Sequence, residues 1–416
     1  MKKTVLKNYA KLIAKTGINV MQGQSVIIRA ELDQPEFVGF VAEECYRAGA
    51  RSVRVEWSHQ PISKLHALYQ SEDTLAEVAP WQEEKLRVQT LELPAVIYLE
   101  SADPDGMDGV DAHKVSEATR RRFPVIKPYR DAMENKYQWC IAAVAGRSWA
   151  KKVFPKEKNV ATAEEKLWEA ILHCARAEGN PVGNWNEHNR TLEERCRFLN
   201  GLKLKKLVYR SSNGTDFSVG LMPEGVFAGG GERTLSGRYF NPNIPSEEVF
   251  TTPMRGEAEG IVYSSKPLSY RGQMIEDFYL RFHEGRVIEA GAKKGEEVLQ
   301  KILSMDEGAS YLGECALVPY DSPVNECGFL FYNTLFDENA SCHFALGRGF
   351  SMCVKNYENY SDEKIKTLGV NDSMVHVDFM VGTRDLSVCG VTEQGETVKI
   401  FEYGNWAFDI CGKERE

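Results

Sequence analysis

The chain carries a histidine and an aspartate two residues apart near its C-terminus, in the apolar stretch MVHVDFM of residues 374–380. Residues i and i+2 of a β-strand point to the same face, so His376 and Asp378 would share one face with Met374 and Met380. A buried carboxylate is costly unless it is paired or bound to a metal. Taken alone, the pair is best interpreted as a hydrogen-bonded pair at a sheet edge. Its chemistry depends on whether other residues join it.

Three further segments of the second half place acids or a histidine among small and apolar residues. Glu248 precedes the pair Val-Phe in NPNIPSEEVFTTP, and Glu314 lies within YLGECALVPY. The segment LFDENASCHFALGRGF contributes Glu338 and His343. Each residue has a structural interpretation of its own, such as a strand end, a helix N-terminus or a satisfied core histidine. Four unrelated buried groups explain the pattern less well than one shared site does.

One metal centre would accept all six side chains. Two histidines and three or four carboxylates, without thiolates, suit zinc, cobalt or manganese. Six ligands exceed the need of one tetrahedral site, whereas two metals about 3.5–4 Å apart, bridged by a carboxylate and a water, would use them. A bridging hydroxide is a nucleophile at neutral pH, and a spare carboxylate can act as general base. The pattern therefore predicts hydrolysis.

The composition is that of a globular protein and argues against several other classes. The chain has 416 residues, of which 43% are hydrophobic and 27% charged, and its formal net charge is −9. Nucleic acids and anionic membranes favour a basic surface, so neither is expected as a partner. No run of 18 apolar residues and no signal-peptide pattern is present, which predicts a cytoplasmic protein. The ten cysteines form no CxxC pair, which favours reduced thiols over disulfides or a thiolate zinc site.

The first half of the chain alternates strand and helix signals, an order that builds parallel sheets. Strands are predicted at residues 24–30, 51–57, 94–101 and 137–145, and helices at 35–50, 110–134 and 162–178. A first helix with Val5, Tyr9, Leu12 and Ile13 inward precedes them. These signals predict an α/β domain over residues 1–200 with a mainly parallel sheet. It contains no GxGxxG and no P-loop sequence, so nucleotide binding gets little support.

The second half has a different sequence pattern, in which short runs typical of β-strands alternate with turns rich in Gly, Asn and Asp. The sequences NGTD and HEGR predict hairpin turns between strands. A helix over TLEERCRFLNGL, with a Thr-x-x-Glu capping box at its start, is predicted to lead into this region. We therefore expect residues 201–416 to form an α+β domain with a mostly antiparallel sheet that carries the metal site.

Four longer motifs, NIPSEEVFTTP, GECALV, FYNTLFDENASCHFALG and VHVDFMVGT, point to a known family. They resemble the signatures of the aminopeptidase T and aminopeptidase S metallopeptidases, which include the PepS enzymes. The resemblance runs over nearly the whole chain. It implies release of N-terminal amino acids from peptides by two divalent metal ions, with zinc, cobalt, manganese and magnesium as candidates. It also implies a cytoplasmic homodimer.

The resemblance also assigns roles to individual residues. Glu314 resembles the family's catalytic carboxylate, which bridges metals or activates water. Cys315 and Cys342 neighbour the site residues but would point away from them in strands. The implied metal ligands are Glu248, Glu314, Glu338, His343, His376 and Asp378.

One position departs from the family pattern. The family carries a tyrosine seven residues after the position of His343, and here that residue is Phe350. Phenylalanine has no hydroxyl, and loss of one such donor costs on the order of 10²–10³ in rate. The residues that could substitute for the hydroxyl are Tyr332, Tyr357, Tyr360 and Arg348.

Two other functions stay open. The Phe350 substitution favours a catalytically weak or inactive relative that binds peptides or metals. A metal hydrolase of non-peptide amides is equally compatible with the ligands, because one ligand set supports several chemistries. Metal content and turnover of amino-acid p-nitroanilides would separate these functions.

Overall fold

The computed structural model describes residues 2–270 and 272–409. The chain folds into two compact units, and it leaves the first unit and returns to it once. The first unit comprises Met1–Asn186 and Gly231–Pro245, and the second comprises Glu187–Gly230 and Ser246–Glu416. The domain boundary expected at residue 200 stays a prediction. The compact units differ from it by the segment 187–200 and by the returning segment 231–245.

Several helices begin at a capping side chain. The Asp111 carboxylate, for example, accepts hydrogen bonds from the backbone N–H groups of His113 and Lys114 at the start of the sixth helix. The inward residues expected in the first helix, Tyr9 and Leu12, are fully buried. The α-helices of the described residues are α1 (Lys3–Leu12), α2 (Pro35–Arg47), α3 (Gln60–Tyr69), α4 (Glu72–Ala76), α5 (Pro80–Glu92), α6 (Ala112–Met133), α7 (Arg147–Val153), α8 (Val160–Cys174), α9 (Pro181–Gly201), α10 (Glu296–Leu303), α11 (Pro323–Glu326), α12 (Thr334–Asp337) and α13 (Asp362–Leu368).

The predicted start of one helix was wrong. Helix α9 begins at Pro181, ten residues before the expected capping box. Thr191 therefore lies in the helix interior, where its Oγ1 donates a hydrogen bond to the carbonyl of Glu187 at 3.1 Å. A Thr-x-x-Glu sequence satisfies unpaired N–H groups only where a helix begins, and here the preceding turns already pair them.

The strands alternate with the helices in the first half and dominate the second. Short helical turns of other types lie at Ile13–Gly17, Gly308–Ser310, Glu338–Ala340, Ser351–Cys353 and Tyr357–Asn359. The strands of the described residues are β1 (Ser25–Glu31), β2 (Ser52–Ser58), β3 (Ala95–Glu100), β4 (Trp139–Ala143), β5 (Leu204–Arg210), β6 (Asp216–Leu221), β7 (Ala228–Gly229), β8 (Glu232–Arg233), β9 (Tyr239–Phe240), β10 (Asn243–Ile244), β11 (Val249–Thr251), β12 (Pro253–Tyr263), β13 (Leu268–Tyr270), β14 (Gln273–His283), β15 (Arg286–Lys294), β16 (Leu312–Leu317), β17 (His343–Gly347), β18 (His376–Met380), β19 (Ser387–Thr392), β20 (Thr397–Glu402) and β21 (Asn405–Trp406).

The first unit is built on a parallel sheet. Its strands lie in the order β10–β4–β3–β1–β2, and each neighbouring pair is parallel. Helices connect consecutive strands, as parallel pairing requires. The predicted strands at 24–30, 51–57, 94–101 and 137–145 correspond to β1 to β4. The α/β prediction for this half is confirmed.

The second unit contains two larger antiparallel sheets. A nine-stranded sheet follows the order β13–β14–β12–β6–β5–β19–β20–β21, with β15 paired to β14. A five-stranded sheet follows the order β18–β17–β16–β11–β7, and all of its pairs are antiparallel. The predicted antiparallel α+β half is thereby confirmed. No helix in the described part of the chain is both long and apolar enough to cross a membrane.

The five-stranded sheet is buried on both faces at its centre. Every residue of β16 and β17 is buried. One face packs against aromatic rings, with the ring centroids of Phe344 and Tyr209 4.9 Å apart and those of Phe344 and Phe217 5.2 Å apart. Because this face is an ordinary apolar core, the polar residues of the same strands must lie on the other face.

Candidate metal centre

Three neighbouring strands bring four of the six predicted ligands to one face of the five-stranded sheet. Glu314 of β16 lies opposite Ala345 of β17, and Ala345 lies opposite Asp378 of β18. Residues directly opposite each other in antiparallel strands point to the same face, and so do residues two positions away along each strand. His343 and His376 therefore share this face. Ala345 has no side chain beyond Cβ, so the space between the flanking carboxylates stays open.

Five of the six side chains form two groups that share one carboxylate. The first group is Glu248, Glu314 and His343, and the second is Glu314, His376 and Asp378. One potential ligand atom from each residue of a group lies within 4.8 Å of the others. The His343 Nε2 atom is 3.3 Å from Glu248 Oε2, and the His376 Nε2 atom is 3.1 Å from Glu314 Oε2. Asp378 Oδ1 is 3.2 Å from the same His376 nitrogen.

Glu338 lies outside these two groups but faces the same site. It begins the helical turn Glu338–Ala340, directly after α12. Burial raises its pKa well above the usual range, and the charges of Asp378, Glu248 and Glu314 raise it further. The preceding acid is structural, because Asp337 accepts hydrogen bonds from the backbone N–H groups of Phe331 at 2.8 Å and Asn333 at 3.0 Å. The two adjacent acids therefore face different partners.

Both histidines present the same nitrogen to the carboxylates. The Nδ1 atom of His376 is 2.8 Å from the carbonyl oxygen of Arg348, and that of His343 is 3.3 Å from the carbonyl oxygen of Ser341. A carbonyl can only accept, so each Nδ1 carries the proton when the ring is neutral. In the neutral ring, each Nε2 atom then carries a lone pair that can bind a metal ion. This is the arrangement in which a second partner orients a metal-binding imidazole.

Gly313 makes the contact to His376 possible. A Cβ at this position would lie 2.2 Å from the carbonyl oxygen of Arg348, the oxygen that accepts from His376. Any larger residue would push this carbonyl away. The glycine beside Glu314 therefore allows close approach of the backbone that fixes the imidazole.

The charges of the cluster are strongly coupled. Burial raises the pKa of Glu314 to about 7, the hydrogen bond from His376 opposes the shift, and the charge of Glu248 adds to it. Burial lowers the pKa of His343, but the hydrogen bond to Glu248 and the neighbouring carboxylates outweigh it and raise the pKa to about 9. The same balance raises the pKa of His376 well above its usual range, mainly through Asp378. Without a cation, protons bound to the cluster reduce the repulsion between its buried carboxylates.

The donor set fits divalent metal ions. Asp378 Oδ1 is buried, and among the described residues no well-aligned hydrogen bond satisfies it. Oxygen and imidazole nitrogen donors suit zinc, cobalt and manganese. The thiols lie elsewhere, since Cys315 Sγ is 2.9 Å from the hydroxyl of Tyr209 and Cys342 Sγ donates to the carbonyl of Val318. A bound cation would accept electron pairs from this Asp378 oxygen and from the Nε2 atoms of the two histidines.

Comparison with known proteins agrees with this geometry. The profile of the family described as "Thermophilic metalloprotease (M29)" matches residues 2–406. The chain belongs to the M29 metallopeptidase family. Aminopeptidase AmpS of Bacillus subtilis is 38% identical over 97% of this chain and 98% of its own length. Aminopeptidase T of Thermus thermophilus is 37% identical over 96% of this chain and 98% of its own length.

A solved structure supports the assignment. The structure titled "Wild-type AmpT from Thermus thermophilus" aligns with a TM-score of 0.89 and 36% identity, and covers 97% of this chain and 99% of that chain. The resemblance to the aminopeptidase T and S metallopeptidases is therefore confirmed. The M29 relatives named here are aminopeptidases, so the chain belongs to a family of metalloaminopeptidases.

Phe350 lies beside His376 of the candidate metal centre. Its ring centroid is 5.0 Å from that of His376 and 5.5 Å from that of Phe250. Its backbone N–H donates to Thr252 Oγ1 at 2.8 Å. The phenylalanine is therefore in contact with a predicted ligand and does not lie in a remote part of the core.

Sequence reasoning missed the groups that hold the ligands in place. The sequence does not indicate that the carbonyls of Ser341 and Arg348 contact the histidines, because every residue has the same backbone carbonyl. It also does not indicate the close backbone approach at Gly313. Asn339 had a weak signal, since it is a polar residue between Glu338 and His343 in ENASCH. It is fully buried.

Proposed function

We propose that this M29 protein is a metal-dependent aminopeptidase that hydrolyses N-terminal amino acids from peptides. The observation that carries the proposal is the position of Glu314, which belongs to both groups of potential ligands. A shared carboxylate is what two neighbouring metal ions require. The membership of a metalloaminopeptidase family supports the same reaction.

The residues divide into two proposed metal positions. Glu248, Glu314 and His343 would hold one ion, and Glu314, His376 and Asp378 would hold the other, with Glu338 available to either. When bound, such ions would supply a nucleophilic water at neutral pH and polarise the scissile carbonyl. Zinc, cobalt, manganese and magnesium are the candidate metals, and the two imidazoles favour the first three.

The chain's own contribution is proton transfer and orientation. Glu314 would accept a proton of the attacking water as the water oxygen bonds to the peptide carbonyl carbon. The peptide carbon–nitrogen bond then breaks, and the proton passes to the leaving amine. Arg348 and Ser341 orient the imidazoles through their carbonyl oxygens.

We further propose a cytoplasmic homodimer. The nine cysteines of the described residues are thiols outside any disulfide, and most of them are buried. Free thiols support a reducing compartment. Cys411, the tenth, lies outside the described residues. The family resemblance supports the dimer, which light scattering after gel filtration would test.

A second candidate is a catalytically weak relative that binds metal and peptide without efficient turnover. Phe350 favours it, because the ring beside His376 has no hydroxyl to stabilise the developing oxyanion. Arg348, whose side chain is exposed, and Tyr332, which is partly exposed, are alternative donors. The second candidate function requires that neither of them replaces the missing hydroxyl.

The test compares the wild type with Phe350→Tyr on a panel of amino-acid p-nitroanilides, after loading with zinc, cobalt or manganese. Phe250→Tyr is the matched control, since it adds a hydroxyl to the ring that packs on Phe350. The proposal expects two metal ions per chain and turnover by the wild type. A gain on the order of 10²-fold in Phe350→Tyr alone would assign the missing hydroxyl to catalysis.

Other outcomes point elsewhere. Two bound metals without turnover by either protein would support the weak relative. Turnover only of N-terminally blocked amides would support a hydrolase of non-peptide amides. A wild type that binds no divalent metal would overturn the aminopeptidase proposal.

A further inference from the structure

Asn339 is a fully buried side chain that contacts two of the segments carrying proposed ligands. Its Oδ1 atom accepts a hydrogen bond from the backbone N–H of Glu247 at 2.6 Å. Its Nδ2 atom donates to the carbonyl oxygen of Leu335 at 2.9 Å and lies 3.5 Å from Glu338 Oε1. The side chain is 0% exposed, so water does not replace any of these contacts.

The chemistry of the partners fixes the orientation of this amide. A backbone N–H can only donate and a carbonyl oxygen can only accept. Turning the amide over would place Nδ2 against the N–H of Glu247 and Oδ1 against the carbonyl of Leu335. Only an amide of this length satisfies a donor on one side and an acceptor on the other, which an aspartate at the same position cannot do.

The two segments that Asn339 joins lack the support of a sheet. Glu247 and Glu248 precede β11, outside regular structure, and Glu338 lies in a single helical turn. The other proposed ligands lie on strands β16, β17 and β18. Glu248 and Glu338 therefore depend on other contacts for their positions.

The hydrogen bond between Asn339 and the backbone N–H of Glu247 is such a contact, at 2.6 Å. Because Glu247 directly precedes Glu248 and Asn339 directly follows Glu338, this bond constrains the positions of both acids.

We propose that Asn339 is a positioning residue for the metal centre, which sets the separation of Glu248 and Glu338. The inference rests on the proposed function only in taking these two acids as metal ligands. Partners that orient metal ligands typically contribute 10–100-fold to metal affinity, so we expect an effect of about that size.

The test measures zinc affinity directly, by competition of the metal-free protein with a chelating dye. Asn339→Ala is expected to weaken the apparent Kd for zinc by about 10–100-fold. The matched control is Asn200→Ala, because Asn200 also accepts from one backbone N–H and donates to one carbonyl, both of Phe227, at 2.7 and 3.0 Å. Asn200→Ala should lower stability and leave zinc affinity unchanged.

A second variant covers the case in which Asn339→Ala does not fold. Asn339→Asp keeps the volume and the acceptor for Glu247 but directs a carboxylate at the carbonyl of Leu335 and at Glu338. We expect it to weaken zinc binding as well. Wild-type affinity in both variants, or in Asn339→Asp where Asn339→Ala does not fold, would overturn the inference, and so would an equal loss in Asn200→Ala. A wild type that binds neither zinc nor any other divalent metal would instead overturn the proposed function.

Discussion

The two units of the molecule bury acidic side chains in different ways. In the first unit, Glu44 is buried but has its own partner, Arg47, at 3.2 Å. In the second unit, the buried acids Glu248 and Glu314 face histidines and one another.

The difference shows which buried acids require a functional explanation. A single carboxylate with a local cation or hydroxyl meets the cost of its burial through that partner. A group of carboxylates that converge on one space raises the cost, because each disfavours the ionised form of the others. Such an arrangement is explained by a cation that the acids share. The contrast leads to four predictions.

The largest expected effect separates the acids of the two units. Glu314→Gln removes the carboxylate shared by both groups of ligands, and we expect kcat on a p-nitroanilide substrate to fall by about 10²–10⁴-fold. Glu44→Gln is the control, because it changes a buried acid of the first unit that has its own partner in Arg47. Equal losses in the two variants would break the comparison.

Metal removal should destabilise the protein through the second unit. A ligand that binds only the folded state stabilises it by about 2.7 kcal/mol when its free concentration is 100 times Kd. We therefore expect chelation to lower the thermal unfolding midpoint, and readdition of zinc to restore it. Glu314→Gln should show a smaller difference between metal-free and zinc-loaded protein. An unchanged midpoint after complete removal of metal would contradict the assignment.

The metal-free protein should lose stability as the pH rises. The pKa of Glu314 is raised to about 7 and that of His343 to about 9, both above their usual values of 4.5 and 6.5. The folded state therefore binds more protons than the unfolded state between pH 4.5 and about 7 at Glu314, and between pH 6.5 and about 9 at His343. In these windows the free energy of unfolding falls as the pH rises. Urea unfolding at pH 5, 7 and 9 measures the slope. Glu314→Gln should have a shallower slope, and an equally steep one would exclude Glu314 as its origin.

The smallest effects concern two buried tyrosines, one in each unit. The Tyr9 hydroxyl donates to the carbonyl of Ala143 at 3.2 Å, and that of Tyr209 lies 2.9 Å from Cys315 Sγ, next to Glu314. Replacing either residue by phenylalanine should lower the free energy of unfolding by about 0.5–1.5 kcal/mol, the net contribution of one hydrogen bond. Neither change should alter kcat. A selective loss of activity in Tyr209→Phe would extend the catalytic site to the opposite face of the sheet.

Much of the fold could be predicted because its signals are local. The strands at 24–30 and 51–57 are short apolar runs separated by a helix, and that order is typical of a parallel pair. Hairpin turns in the second half mark antiparallel strands in the same way. The start of α9 was missed, because a capping box near Thr191 has the same sequence inside a helix as at its beginning.

The candidate site could be predicted in part for a related reason. The shared face of His376 and Asp378 follows from the two-residue period of a strand. Their meeting with Glu314 depends on the register of β16, β17 and β18, which the residues of one strand do not encode. The place of Glu338, outside both groups of ligands, depends on a turn held by side-chain hydrogen bonds.

The amino-acid sequence by itself determined the types of the candidate metal-binding side chains, the strands that carry most of them, and the phenylalanine at position 350. The tertiary structure alone decided that Glu314 is shared, that each histidine presents Nε2, and that Asn339 joins two irregular segments. The physical reason is the distance along the chain over which each interaction acts. Residue chemistry and strand alternation are properties of a few neighbouring residues, whereas register and hydrogen bonds between distant segments exist only once the chain has packed.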